Sequence, residues 1–406
     1  MKRVLITIPI LFFALGTLTA QTFFTAVKEG FEPLTALIAK SPSTGQVSNT
    51  EQDNQKTRKK EVVTTTLRDG SVYIGQVKRK RPHGTGRVMY SNGDKYNGEF
   101  TDGLRNGYGV YEYKHGDRYE GSFKAGKKHG SGIYYYADGK KYEGNWVDDQ
   151  MQGYGRMDYE NGDYYLGVWL MGVRTGSGTY LYANGASYTG EWKDGKYNGI
   201  GTFIWDDNSK YIGQWKNNRR NGSGFFMSVT GDTYDGMWVD NVCEGDGRYK
   251  YADGSVYEGQ FRNNLWHGEG KYTASDSTVY EGCFKDGMRD GHGVMYFSNG
   301  AVYDGDWKED VRCGKGKYTW SNGDVYEGYW EDDKMNGAGM LRLNDGRRYS
   351  GGFVDGLEEG AGVAIDADGL RYEGYFLEGQ RNGKFVVKDT DGSVLRECEY
   401  NLGIVD

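Results

Sequence analysis

From Val62 onward, apolar and polar residues alternate in short runs, and the runs themselves recur. Between Tyr142 and Trp169 the chain reads YEGNWVDDQMQGYGRMDYENGDYYLGVW, with Tyr, Gly and Trp at alternate positions. That alternation puts the three on one face of a strand. After each Gly-x-Gly a second alternating run follows, as in Tyr134 and Tyr136 or Tyr318 and Trp320. The pattern repeats every 23 residues, fourteen times, from Tyr73 to Tyr372, without insertion or deletion. Gly stands two residues after each Tyr and Trp or Phe four after it, with Val77 the one exception. Each unit is therefore predicted to be a two-stranded hairpin in which bulky rings face glycines and interdigitate along a sheet. Most units close on Asn-Gly or Asp-Gly, as at Asn161-Gly162 and Asp253-Gly254. This step supplies the positive φ that tight turns need. A plain two-residue turn would put the next Tyr on the wrong face, so a three-residue loop with a glycine bulge is expected.

A single hairpin is marginal in water, so these must be stabilised by stacking on their neighbours. The predicted fold is all-β: an elongated, single-layer, twisted antiparallel ribbon of stacked hairpins, about 130 Å long at a strand spacing of about 4.8 Å. Composition agrees, with 66 glycines, 35 tyrosines and only 4 prolines. Much of the apolar share of 37% is aromatic rather than Leu, Ile or Val, which argues against a large aliphatic core. No three-residue period suggests collagen, and the aromatic content argues against a solvated coil.

The ends depart from the repeat. Residues 1–20, with Lys2 and Arg3 ahead of an apolar run from Val4, predict an export signal. The alternative is a retained anchor, because the uncharged stretch from Val4 to Val27 is long enough to span a bilayer. Residues 21–40 place Phe24, Val27, Phe31, Leu34 and Leu37 at near-helical spacing, interrupted by Pro33, and are expected to form a short amphipathic, helical segment that caps the first repeat or lies on a membrane surface. Residues 41–61 lack aromatics and predict a polar, flexible linker before the array at 62–394. Residues 395–406 are expected to form a degenerate cap, with Leu395, Glu397 and Glu399 where Tyr, Gly and Trp belong.

The run Tyr-x-Gly-x-Trp/Phe, then Gly-x-Gly, then Asn/Asp-Gly at a 23-residue pitch resembles the MORN (membrane occupation and recognition nexus) repeat from about Tyr73 to Lys388. The resemblance implies a single-layer β ribbon. It also implies a scaffold that binds partner segments along an aromatic groove, or a module that associates with membranes. Some relatives carry the repeats beside a catalytic domain, for which this chain leaves no space.

Catalytic and metal chemistry finds little support. His83 and His129 are expected at equivalent turn positions two units apart, too distant to share a zinc ion. Cys243, Cys283, Cys313 and Cys398 show no C-x-x-C spacing and are expected to be free. Glu258, Glu281, Asp304 and Glu327 form a carboxylate ladder opposite the rings, on a face expected to be solvated and without the cleft that glycoside chemistry needs. Each Gly-x-Gly enters a strand rather than a helix, so none is a phosphate loop. The chain is read as no enzyme, with no cofactor, metal or nucleic acid expected.

Charge is uneven. From Lys56 to Lys128 there are 17 Lys/Arg against 8 Asp/Glu, while the residues after Lys128 carry 29 against 45. Lys78, Arg79, Lys80, Arg81, Arg105, Lys124, Lys127 and Lys128 are the candidates for contact with an anionic surface. A second candidate is an apolar ladder eight residues after the repeat Tyr, a position placed in the loop between the strands of each unit. Often basic elsewhere, it becomes Val242, Leu265, Met288 and Val311, with Trp266 beside them, and is expected to anchor a protein partner. The leading expectation is an exported, non-enzymatic scaffold of the cell envelope with an unidentified protein partner. The alternatives are recognition of anionic lipid and regulation of a separately encoded enzyme.

Overall fold

The computed structural model describes residues 62–405. The expected leader (1–20), amphipathic segment (21–40) and linker (41–61) lie outside the described residues. Among the described residues there is no helix; thirty-one strands, numbered in chain order from β1 (Val62–Thr66) to β31 (Ile404–Val405), form one sheet. Each strand pairs with the one before it and the one after it. The pairing is antiparallel, and the sheet is an open meander.

One unit shows how the sequence produces this. β10 (Tyr164–Leu170) and β11 (Val173–Leu181) are joined by Met171 and Gly172, whose φ values of 49° and 80° are those of a type I′ turn. This two-residue turn keeps Trp169 opposite Arg174 and Leu170 opposite Val173. The register then jumps between Gly167, opposite Gly178, and Val168, opposite Thr175. The bulge is accommodated by Gly176 at φ 58°. Units are joined differently. The Tyr182 N–H donates to Ala186 O at 2.9 Å and the Gly185 N–H to Tyr182 O at 3.0 Å, with Gly185 at φ 95°. Ala183, Asn184 and Gly185 are thus the predicted three-residue loop with its glycine bulge. It turns an odd repeat length into a constant face.

The core is one side of a single layer. Tyr165 is fully buried although no second sheet covers it among the described residues, because its ring lies flat across its own Gly167 and the paired Gly178. A Cβ on either glycine would stand 2.5 or 2.4 Å from the Tyr165 hydroxyl. That hydroxyl donates to Val168 O at 3.1 Å. Trp169 and Trp192, from the same and the next unit, close over the ring edge-on at 5.2 and 5.0 Å. The indole N–H of Trp192 donates to Gly178 O at 3.0 Å, so neither polar group is wasted. As predicted, the ring also faces a glycine, since Trp192 pairs with Gly176.

Two expectations need correction. The position eight residues after the repeat Tyr is not in the turn: Arg81, Lys127, Val242, Leu265, Met288 and Val311 each open a strand. His83 and His129 are likewise strand residues, because the turn uses only two residues and ends before them. The C-terminal strand also finds its own solution. A register shift at Lys388 brings Tyr400 opposite Gly383, where Trp or Phe normally stands. Tyr400 is buried edge-on against Phe385 at 5.1 Å, leaving Leu395 exposed.

Candidate functional site

Nine residues after each repeat Tyr, the side chain points to the ring-bearing face, directly beside the rings. In seven units it is a cation: Arg105, Lys128, Arg174, Arg220, Arg289, Arg312 and Arg381. Each lies on aromatic faces. Arg105 is 4.6 Å from the Tyr111 ring centroid, Lys128 4.5 Å from Tyr134, Arg174 4.6 Å from Trp192 and Arg220 4.1 Å from Trp238. The following turn fixes the guanidinium. Arg174 donates to Gly195 O and Arg220 to Asn241 O, each at 3.1 Å. Half-burial pushes the Lys128 ammonium below its usual range.

The row is divided by its counter-charges. Arg289 pairs with Asp310, Arg312 with Asp333 and Arg381 with Asp366, each at 2.8 Å. Arg105, Lys128, Arg174 and Arg220 have no carboxylate within salt-bridge distance among the described residues. Between them stand Met151 and Tyr197. Tyr197 stacks on Tyr188 at 3.7 Å and shares a short hydroxyl contact with Tyr182. Arg174, Tyr180, Tyr182, Trp192 and Tyr197 line an open cavity of about 320 Å³. Farther along, Glu358 replaces the cation, and burial raises its carboxyl above the usual range.

The predicted anionic-surface residues separate into two sets. Lys78, Arg79, Lys80, Arg81, Lys124 and Lys127 are exposed around the two-residue turns. Arg105 and Lys128 belong instead to the half-buried row on the rings. The apolar ladder also divides. Leu265 and Met288 are 46% and 38% exposed, whereas Val242 and Val311 are half-buried. Trp266 is not beside them: strand alternation turns it to the opposite face, where it stacks on Tyr257 at 4.5 Å in the cation's place. The row has a sequence signal, an in-phase column of cations one residue after the apolar ladder, but only Arg105 and Lys128 are among the residues predicted from the sequence, and those as contacts for an anionic surface.

The reverse face carries the carboxylate ladder, interleaved with cations from the intervening strands. Arg248 meets Glu258 and Lys271 meets Glu281, both at 2.6 Å. The four cysteines are free. No group of metal-binding side chains occurs among the described residues, and no helix there is long and apolar enough to cross a membrane.

Among solved structures, the TCP10c domain of Drosophila melanogaster Sas-4 is 17% identical, with 43% of this chain and 96% of that one covered and a TM-score of 0.24. The TCP10 domain of Danio rerio CPAP in complex with a peptide of Danio rerio STIL is 12% identical over 67% and 95% of the two chains, with a TM-score of 0.16. A streptogramin B lyase is 15% identical over 71% and 89%, with a TM-score of 0.12. Likenesses this slight carry no functional weight. No curated protein matches. The family model described as MORN repeat, by contrast, matches fourteen successive segments from residues 73–95 to 372–393, and the chain belongs to that family of repeat scaffolds.

Proposed function

We propose that this protein is a non-enzymatic interaction scaffold that holds a partner polypeptide along its ring-bearing face. The observation that carries this reading is the row of Arg105, Lys128, Arg174 and Arg220, cations fixed on rings and with no carboxylate in salt-bridge contact among the described residues. A half-buried cation lacking a counter-charge costs stability, and a partner's carboxylate offsets that cost. The aromatic edges around it offer the contact area that anchors an interface. Export to the cell envelope by residues 1–20, or retention there by an uncleaved anchor, is part of the proposal and is supported by Lys2, Arg3 and the apolar run after them. The test is site-specific photo-crosslinking in the native cell, with the crosslinker at Tyr182 on the ring face or at Thr189 on the reverse face. Crosslinks to a polypeptide from position 182 and not from 189 support the reading; the opposite distribution defeats it.

A membrane-recognition role has its own observation in the exposed cluster Lys78, Arg79, Lys80 and Arg81, with Lys124 and Lys127 at the equivalent turn two repeats on. Reversing the charges of residues 78–81 should release the protein from anionic vesicles, with the salt dependence of exposed charges. Unchanged vesicle binding would rule that cluster out.

A further inference from the structure

The spacing of the row restricts what lies on it. Each repeat advances the ribbon by two strands, about 9.6 Å at the usual separation. A polyproline II helix rises about 3.1 Å per residue with three residues per turn, so one of its faces repeats about every 9.3 Å. Arg105 and Arg220 are five repeats apart. Over that distance such a segment drifts by only about 1.5 Å. An α-helix returns the same face after two turns, about 10.8 Å, and would be out of step by about 6 Å, beyond hydrogen-bond reach. A β-strand shows the same face every second residue, about 6.7 Å, and so comes near step only at every second repeat: it would meet Lys128, Arg174 and Arg220 but turn its other face to Arg105, one repeat before Lys128.

We propose that the occupant of this row is an acidic, proline-containing segment in the polyproline conformation, advancing about three residues per repeat. This rests on the scaffold reading and adds the partner's conformation and charge register. Its carboxylates meet Arg105, Lys128, Arg174 and Arg220. Its prolines pass over Met151 and Tyr197, where the row offers a thioether and a ring in place of a charge. The order along the row is thus acid, acid, proline, acid, proline, acid, at every third residue of the partner.

The test uses full-length protein and two synthetic peptides of identical composition, one with that order at every third residue and the other at every fourth. Fluorescence anisotropy should show the first binding about tenfold tighter or better, with the preference weakened by salt. Arg174→Gln with Arg220→Gln should weaken it by a similar factor while the β-sheet signal is retained. Met151→Arg should favour a peptide carrying Glu instead of proline at the matching place, a gain that damage to the fold cannot imitate. Equal binding of both peptides, still lost in the double variant, overturns the register and leaves ring-face docking standing. Binding unaffected by the double variant overturns ring-face docking as well. Failure of both peptides to bind overturns the proposal. So does loss, in the double variant, of binding to phosphatidylserine vesicles without any peptide binding, which would make lipid the occupant.

Discussion

Glycine and tyrosine are so abundant here because each repeat Tyr from Tyr73 to Tyr349 lies on two glycines; only Tyr372, with Phe385 in place of the second, departs from this. At Tyr211 the floor is Gly213 and Gly224, and a Cβ at Gly224 would stand 2.2 Å from the Tyr211 hydroxyl. Since the ring is fully buried and held by Trp215 and Trp238 at 5.1 and 5.5 Å, it has nowhere to retreat. Gly224→Ala should cost about 1–3 kcal/mol, as overpacking does elsewhere. Chemical denaturation checks this, and an unchanged midpoint would mean that the ring is free to move. The inter-unit loop offers the opposite case. Ser277 occupies the position of the bulge glycine at φ 71°, where a side chain is strained. Ser277→Gly should relieve that strain and stabilise the fold by about 1 kcal/mol at most after glycine's own entropy is counted, read as a higher melting temperature. The Tyr-Gly-ring alternation made the buried face legible in the sequence. That the Tyr lies on glycines of two strands was not legible, because it depends on the register between Gly213 and Gly224.

At the scale of the hairpin, the sequence disclosed the loop between units but not the turn within them. Asn-Gly marks the first by composition. The second is formed by pairs as different as Arg79-Lys80, Asp102-Gly103 and Asn263-Asn264, all at positive φ. Without a shared residue type, its two-residue length was visible only in the structure, and a one-residue misplacement there moves a side chain to the other face. Trp266 therefore lies on the ring face and Leu265 on the other, and the cations at the position of Trp266 form one row on the rings. The position of Leu265 itself reaches over the next turn: a Cβ at Gly287 would lie 3.8 Å from Leu265 Cδ2. In other units a cation there pairs with the next turn, as Lys334 does with Asp355 at 2.9 Å. Lysines at 265 and 288 would have Asp286 and Glu309 as equivalent partners. Leu265→Lys with Met288→Lys should therefore leave the melting temperature nearly unchanged. Loss of partner capture in that variant would identify the ladder as a docking edge, whereas a clear fall in stability with capture intact would assign it to turn packing. Because each strand pairs only with its chain neighbours, removing one whole repeat should also be tolerated. Deleting residues 211–233 joins Lys210 to Tyr234 in phase and should preserve the sheet signal. Deleting one residue fewer reverses every later face and should not.

Across the whole sheet, the buried tyrosines act together, and their sum sets a pH limit. Burial raises the hydroxyls of Tyr211, Tyr326 and Tyr349 from the ordinary 10.0 to about 12, and pushes Tyr142, Tyr165 and Tyr188 up in the same direction. The neutral form is the one that fits, since an ionised oxygen would be held against backbone carbonyls with little water. An acid whose folded pKa lies above its unfolded value stabilises the fold fully below the unfolded value. That stabilisation is lost as pH climbs through the folded value, because the unfolded chain has already released its proton. Stability should therefore hold steady up to about pH 10 and decline steeply between about pH 10 and 12. The decline should be steeper than for a protein with one buried Tyr, since the proton difference between the unfolded and folded states sums over the repeats. Tyrosinate absorbance of the buried set and loss of the β-sheet signal should share one midpoint. Repulsion among exposed charges at high pH would give a similar trend, but added salt relieves it. Salt does not relieve the cost of a buried tyrosinate, so the midpoint should move little between low and high ionic strength. If tyrosinate forms near pH 10 while the sheet persists, or if salt restores the fold, the rings are not sealed on their glycines and the single-layer core is looser than described.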